Sequence, residues 1–289
     1  MKVERVHDAV HSLGESPVWS IREQALYFVD LRAPAIHRYE PSAGSMTSWA
    51  MPDLAGAVVL ARAGGVLVAL ASGVFRLDPH FGTTHALVAP EPRSLGNRMN
   101  DSKSDRAGRL WTSTMRDHGA AESGALYRID PGLGVVRWLT GLCVPNGLAW
   151  SPDDRTMYFA DTRDGRLRAY DYDADAGAPG AMRVLLADGA APGRPDGGTV
   201  DAGGCYWSAR YGGGCVVRVT PDGAIDRVVA LPVTQPTSCA FGDADLRTLY
   251  VTTARQRLDE GALRSQPAAG ALFALRTDVG GLPEPECAL

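Results

Sequence analysis

The sequence contains no long apolar run, no excess of basic charge and no paired-cysteine motif. Its 289 residues carry a formal net charge of −4, which gives no electrostatic footprint for nucleic acid. Its apolar stretches are far too short to span a bilayer. The five cysteines show no CxxC spacing, and the N-terminus lacks a basic and apolar signal sequence. These absences predict a cytoplasmic protein, a monomer or weak oligomer, that binds a small molecule rather than nucleic acid or a membrane.

Common catalytic motifs are also missing. The chain has no GxSxG nucleophile elbow, no HExxH zinc motif, no Walker loop and no dinucleotide fingerprint that opens a helix. A functional site therefore has to be assembled from residues that lie far apart in the sequence.

A repeated pair of strands is the strongest pattern in the chain. In each copy a polar residue opens a short apolar strand, and a turn and a second strand follow. The second strands are separated by 41, 43, 47, 49 and 43 residues, a spacing typical of propeller blades. Their anchors are Leu26, Leu67, Leu110, Met157, Tyr206 and Leu249. The sequence therefore predicts an all-β, six-bladed β-propeller with four-stranded blades, which occupies residues 1–289 as a single domain.

The sixth blade lacks a visible fourth strand. After Leu275 the chain runs into glycines and prolines, whereas residues 3–6 have strand character and no partner. A strand from the N-terminus would tie the two ends of the ring together and leave only short, protected edges. We therefore predict that the N-terminal strand closes the ring.

The repeat alignment also predicts a site. The innermost strand of each propeller blade lines the central channel, so equivalent positions come together there. Counting back 10 or 11 residues from the anchors gives a polar residue in five blades and a glycine in one. These residues are Glu15, Gly56, Asn100, Asn146, Asp196 and Ser238. Two carboxylates in a confined channel repel each other unless one is protonated or a cation lies between them.

The added amide oxygens favour a cation. Oxygen ligands suit a hard divalent ion such as calcium, magnesium or manganese, and zinc or ferrous iron are alternatives where water completes the shell. Each residue taken alone could instead satisfy the backbone of a turn. Four blades carry such a residue at the same position of the repeat, which favours a shared cation site over four separate turn residues.

Residues 97–103 (NRMNDSK) are dense in hydrogen-bonding side chains just ahead of a strand. A pocket for a hydroxylated, partly anionic ligand requires such groups. A solvated loop is the alternative interpretation of the same segment.

Several short segments carry a family resemblance. They include residues 14–19 (GESPVW), 97–101 (NRMND), 145–148 (PNGL), 195–197 (PDG) and 237–242 (TSCAFG). With these motifs the chain resembles the senescence marker protein (regucalcin), gluconolactonase and sugar lactonase family over essentially its whole length. The resemblance implies that Glu15, Asn146 and Asp196 bind one catalytic divalent cation.

The resemblance also implies substrate contacts. Arg98 and Asn100 would hold substrate hydroxyls, and Asp101 and Lys103 match the family as supporting residues. Some animal members carry an acidic substrate contact where this chain places His118. That histidine either contacts substrate or belongs to an exposed loop.

Together these observations predict metal-dependent hydrolysis of a sugar lactone to its aldonic acid. The cation would polarise the lactone carbonyl, and Asp196 would act as the general base that activates water. Two alternatives stay open. The same centre could hydrolyse other esters, lactones or organophosphates, and a propeller of this kind could bind calcium without catalysis.

Overall fold

Twenty-four strands form six four-stranded antiparallel sheets in the computed structural model, which describes residues 1–119 and 121–289. The first nine are β1 (Val3–Arg5), β2 (Gly14–Ser20), β3 (Ala25–Asp30), β4 (Ala35–Glu40), β5 (Ser45–Ala50), β6 (Ala55–Leu60), β7 (Val66–Leu70), β8 (Gly73–Asp78) and β9 (Thr83–Val88). The next eight are β10 (Asn97–Ser104), β11 (Leu110–Arg116), β12 (Gly124–Ile129), β13 (Val135–Leu142), β14 (Pro145–Trp150), β15 (Thr156–Asp161), β16 (Arg166–Asp173) and β17 (Ala178–Leu186). The last seven are β18 (Arg194–Val200), β19 (Tyr206–Tyr211), β20 (Cys215–Val219), β21 (Ile225–Ala230), β22 (Pro236–Gly242), β23 (Thr248–Thr253) and β24 (Phe273–Arg276).

The sheets follow one another as the blades of a six-bladed β-propeller, as the sequence predicted. Blades 1 to 5 are β2–β5, β6–β9, β10–β13, β14–β17 and β18–β21, and blade 6 is β22, β23, β24 and β1. The innermost strands β2, β6, β10, β14, β18 and β22 each contact the innermost strands of the two neighbouring blades. They therefore form the ring that lines the channel.

Helix is confined to two short segments of the described residues. One is a 3₁₀ helix at Arg93–Leu95, and the other is α1 (Glu260–Ser265), which the Asp259 side chain caps by accepting a hydrogen bond from the Ala262 amide. Among the residues that the structure describes, no helix is long and apolar enough to cross a membrane.

The core lies between neighbouring blades. All six residues of β3 are buried, because a strand inside a blade is covered by another blade on each face. The outer strand β5 has no buried residue and mixes exposed with half-buried positions, since it lies at the rim. Between blades 3 and 4, for example, Trp111, Leu148 and Phe159 pack in one buried cluster.

The N-terminal strand closes the ring as predicted. β1 pairs antiparallel with β24 from Val3 opposite Leu275 to Arg5 opposite Phe273. The Val6 amide donates to the Leu272 carbonyl at 3.1 Å, and the Tyr39 hydroxyl donates to the Val6 carbonyl at 3.1 Å. The first and last parts of the chain therefore share one blade.

Deletion of residues 1–8 is expected to lower the free energy of unfolding by about 2–4 kcal/mol. The loss combines backbone hydrogen bonds worth ~1 kcal/mol each with the partly buried side chains of Val3 and Val6. Urea denaturation measures the effect. Exchange of the exposed Lys2 and Glu4 for serine is the control, and an unchanged midpoint in the deletion variant would contradict closure by this strand.

The C-terminal segment crosses one end of the channel. The Ala202 amide of the blade-5 turn donates to the Gly280 carbonyl at 2.9 Å, and the Cys287 amide donates to the Leu60 carbonyl of blade 2 at 2.8 Å. The Ala288 amide then reaches the Gly108 carbonyl of blade 3, also at 2.8 Å. These contacts all lie where the innermost strands end. The opposite end, where those strands begin, is left for a site.

Candidate functional site

Every innermost strand carries a break in its pairing with the second strand. The register shifts at residues 15–18, 55–57, 99–102, 146–149, 195–198 and 236–238. Such bulges redirect side chains and are common beside functional sites. In blade 4 the bulge needs Gly147, whose φ is 73°. A Cβ at that position would lie 2.6 Å from the Tyr206 hydroxyl oxygen, so no larger residue fits without rearrangement.

The bulges bring five of the predicted site residues to one cavity of about 270 Å³. Its wall contains Glu15, Arg98, Asn100, Asn146 and Asp196. The volume is close to the ~300 Å³ at the lower end of small-molecule pockets, so a monosaccharide-sized ligand suits it. Because all five lie in the early part of their strands, the cavity is at the channel end opposite the C-terminal segment.

Burial and neighbouring acids disfavour the charged forms of two carboxylates in this cavity, Glu15 and Asp196. Burial raises the pKa of Glu15 well above its ordinary value, and the charges of Asp196 and Asp101 raise it further. Burial and then the charge of Asp101 likewise raise the pKa of Asp196, which is only 6% exposed. The Ser16 amide donates to Glu15 at 3.2 Å and compensates only in part. The charge of Arg98 also lowers the pKa of Glu15, but by less than burial and the two aspartates raise it.

A chain of hydrogen bonds orients the Asn146 amide. Its Nδ2 donates to the Thr162 hydroxyl at 2.8 Å, and that hydroxyl in turn donates to the Pro195 carbonyl at 2.7 Å. Asn146 Oδ1 accepts from Asn100 Nδ2 at 3.0 Å. An amide oxygen has two lone pairs, so one remains for a ligand in the cavity.

Arg98 is held by a second network. Its Nε donates to Asp117 Oδ1 at 2.7 Å, and its NH1 donates to Asn100 Oδ1 at 2.7 Å and to the Met99 carbonyl at 2.9 Å. Arg32 NH1 donates to Asp117 Oδ2 at 3.0 Å. Burial alone would raise the pKa of Asp117, but hydrogen bonds from Arg32 and Arg98 outweigh it and lower the pKa. Asp117 is therefore an ionised clamp for both arginines.

The donor set fits a hard divalent cation. Within the described residues no group of three or more His, Cys, Asp or Glu side chains is placed to hold a metal ion. The cavity instead offers the carboxylates of Glu15 and Asp196 with the oriented amide oxygen of Asn146. These all-oxygen donors match calcium, magnesium or manganese. Such a cation would neutralise the carboxylates of Glu15 and Asp196, whose charged forms burial disfavours.

Asp101 and Lys103 lie deeper in the channel. Asp101 Oδ2 accepts from the Leu148 amide at 3.0 Å, and Lys103 Nζ lies 3.3 Å from a carboxylate oxygen of Glu284 in the C-terminal segment. Together with Ser238 they line a separate cavity of about 20 Å³. The structure therefore does not bring these three residues to the cavity that contains Arg98. Asp101 acts on that cavity through its charge.

His118 lies outside the cavity wall. Its side chain is 90% exposed, and its Nε2 is 3.1 Å from Asp117 Oδ2. The acidic residue at this part of the wall is Asp117 itself. The resemblance places the predicted substrate contact at His118, one residue after the side chain that lines the cavity.

Several further residues of the cavity wall were not predicted from the sequence. Asp117, Gln256 and Arg257 lie in loops without a repeat signal, and Tyr211 is the last residue of β19. Two lining arginines did have a repeat signal: Arg32 and Arg163 each stand six residues after their anchor, at the end of the motif Asp-x-Arg. In both copies the aspartate accepts a hydrogen bond from the arginine amide, at 3.1 Å for Asp30 and 3.0 Å for Asp161.

Curated relatives cover nearly the whole chain. A 6-deoxy-6-sulfogluconolactonase of Pseudomonas putida is 40% identical over 94% of this chain and 94% of its own length. The pentonolactonase XacC of Haloferax volcanii is 37% identical over 98% of this chain and 97% of its own length.

Solved structures agree. A calcium-binding protein, regucalcin, from Agrobacterium tumefaciens is 30% identical with a TM-score of 0.92, and the match covers 99% of this chain and 97% of that chain. Residues 13–255 match the family described as the SMP-30/gluconolactonase/LRE-like region. That segment contains every residue of the large cavity's wall except Gln256 and Arg257. The chain therefore belongs to the SMP-30/gluconolactonase/LRE-like family.

Proposed function

We propose that this protein hydrolyses a sugar lactone to its aldonic acid, with one divalent cation held by Glu15, Asn146 and Asp196. The observation that carries the proposal is the single cavity in which these three oxygen donors face Arg98 and its network. Relatives named as lactonases of a sulfogluconolactone and of pentonolactones, at 40% and 37% identity, support the reaction class.

The cation would supply Lewis-acid polarisation of the lactone carbonyl when bound. Asp196 is the proposed proton acceptor. One of its carboxylate oxygens takes a proton from the water that attacks the carbonyl carbon. The bond between that carbon and the ring oxygen then breaks, and the proton passes to the ring oxygen, which becomes a hydroxyl of the aldonic acid. A general base of this kind has to remain ionised beside the cation.

Arg98 is the proposed substrate-orienting residue. Its NH2 group has no hydrogen-bond partner among the described residues, whereas Nε and NH1 are held by Asp117, Asn100 and Met99. The fixed guanidinium thus has donors left for substrate hydroxyls.

Asn100 has a different proposed role. Both hydrogens of its Nδ2 are used, one on the Pro145 carbonyl at 2.8 Å and one on Asn146 Oδ1 at 3.0 Å. It therefore orients Asn146 and Arg98, and one lone pair of its oxygen is left to accept from a substrate hydroxyl.

Hydrolysis of a panel of aldonolactones by metal-stripped protein tests the proposal. Acid release is followed in weakly buffered solution with and without added calcium, magnesium, manganese, zinc or ferrous ion, and the rate without protein is subtracted. We expect turnover of at least one sugar lactone that depends on an added cation. Cation binding without turnover of any lactone would contradict the lactonase proposal and favour a propeller that binds a cation without catalysis. Turnover of aryl esters or organophosphates alone would favour another hydrolase.

A further inference from the structure

The cavity wall is far more basic than the protein as a whole. The chain carries a net charge of −4, yet the wall of the large cavity contains five arginines and three carboxylates. The arginines are Arg32, Arg98, Arg163, Arg194 and Arg257, and the carboxylates are Glu15, Asp117 and Asp196. A neutral sugar does not require such an excess of positive charge.

The five arginines fall into two groups. Arg32 and Arg98 share one carboxylate partner, Asp117, at 2.9 Å and 2.7 Å. Within the described residues Arg163 and Arg257 have no carboxylate partner, and Arg194 only approaches Asp188 at 3.6 Å. We call Arg163, Arg194 and Arg257 the arginine rim; all three are exposed. The rim therefore carries positive charge that the protein itself leaves largely uncompensated.

Carboxylates near the rim are already engaged elsewhere. Asp161 accepts hydrogen bonds from the backbone amides of Cys143, Val144 and Arg163. Asp164 forms ion pairs with Arg166 and Arg168. Asp161 satisfies backbone amides, and Asp164 pairs with two arginines of β16. Neither carboxylate pairs with the Arg163 guanidinium, which is therefore available to a ligand.

The backbone under the rim is well anchored. Arg194 NH1 donates to the Arg163 carbonyl at 2.9 Å, which joins the blade-4 turn to the start of β18. The amides of Arg255 and Gln256 both donate to the Ser12 carbonyl, which fixes the loop that carries Arg257.

The backbone conformation of Arg257 adds a second observation. Its φ is 61°, in the left-handed region. That conformation costs an L-residue roughly 1–2 kcal/mol, and a glycine would avoid the cost. Strain of this kind is concentrated at functional positions.

We propose that the arginine rim is an anion subsite for a lactone substrate with an ionised oxyanion group, a sulfonate, phosphate or carboxylate, away from its carbonyl. This inference rests on the proposed lactonase function and specifies its substrate class. Arginine binds such oxyanions through paired, charge-assisted hydrogen bonds. The three donors come from blades 4, 5 and 6, whereas Arg98 belongs to blade 3, so the oxyanion and the sugar hydroxyls contact different walls.

The ratio of kcat/KM for an anionic lactone to that for a neutral lactone tests the subsite. The substrates are gluconolactone, its 6-phosphate, 6-deoxy-6-sulfogluconolactone and glucarolactone, so that phosphate, sulfonate and carboxylate are separated. We expect the wild-type protein to prefer at least one anionic lactone. The ratio is expected to fall at least tenfold in the triple variant R163M/R194M/R257M and by a smaller factor in each single variant. Added salt should reduce the wild-type preference, because the rim is exposed.

Arg166→Met is the matched control. This arginine lies beside the same blade-4 turn but outside the cavity wall, and it pairs with Asp164. Its variant should keep the wild-type ratio. Because the rim side chains are exposed, the variants are expected to fold, which thermal unfolding checks.

Binding of 6-phosphogluconate and gluconate, measured by calorimetry, separates the subsite from catalysis. We expect tighter binding of the phosphorylated acid, lost in the triple variant. The wild-type protein could hydrolyse neutral lactones while the triple variant leaves the anionic-to-neutral ratio of kcat/KM unchanged. That result would overturn the subsite and leave the proposed function intact. Arginine-dependent binding without hydrolysis of any lactone would support the subsite and reject the proposed function. If the protein shows neither lactone hydrolysis nor arginine-dependent binding of the phosphorylated acid, both the subsite and the proposed function are rejected.

Discussion

Asp196→Asn is expected to lower kcat for lactone hydrolysis by about 10²- to 10⁴-fold, the usual contribution of a general base. The amide has nearly the same shape as the carboxylate, but it cannot accept the proton of the attacking water. The substitution also removes a buried carboxylate whose pKa burial raises, so the propeller should stay folded. Initial rates at saturating lactone and cation measure kcat, and thermal unfolding checks the fold.

A control separates the base from a simple metal ligand. Asp222→Asn removes an exposed aspartate from a turn in the same blade, where the carboxylate accepts a hydrogen bond from the Thr220 hydroxyl, and it should leave kcat unchanged. A tenfold excess of cation should not restore the Asp196→Asn variant if the proton acceptor is missing. Recovery of wild-type turnover by added cation would show that Asp196 acts only as a ligand.

Glu15→Gln is expected to remove the stabilisation that a divalent cation gives while making the metal-free protein more stable. Burial and the charges of Asp196 and Asp101 raise the pKa of Glu15. An acid with a raised folded-state pKa costs stability once pH exceeds its ordinary, unfolded value. Metal-free wild-type protein should therefore lose stability as pH rises above the ordinary carboxyl range, and the variant should lose less.

The cation effect has a definite size. A ligand present at 100 times its dissociation constant stabilises the folded state by about 2.7 kcal/mol, and the variant should lose nearly all of this. Thermal unfolding at pH 5 and pH 8, with and without cation, measures both effects. Glu260→Gln, at an exposed position in α1, is the control. A cation-induced shift in Glu15→Gln equal to that of the wild type would reject Glu15 as a ligand.

Much of the candidate site could be predicted because the propeller repeats. Glu15, Asn146 and Asp196 stand at matching distances before their anchors, and the blades bring matching positions to one ring. The same geometry delivers Arg98 and Asn100 with them. Repeat register is a property of the chain, so no knowledge of side-chain packing was required.

The remaining wall depends on loops that have no common register. Asp117 rather than His118 lines the cavity, because the chain leaves β11 at Arg116 and strand alternation no longer determines side-chain direction. Arg257 comes from the loop after β23, whose position depends on hydrogen bonds to Ser12 near the other end of the chain. Neither placement has a local sequence signal.

The repeat of strands and turns was enough to predict the six blades, the closing N-terminal strand and the shared position of Glu15, Asn100, Asn146 and Asp196. The tertiary structure places Lys103 beside Glu284 deep in the channel, away from Arg98. It alone brought the arginine rim together from three blades. Such contacts join residues of unrelated register, and their geometry depends on packing and charge that exist only after the ring has closed.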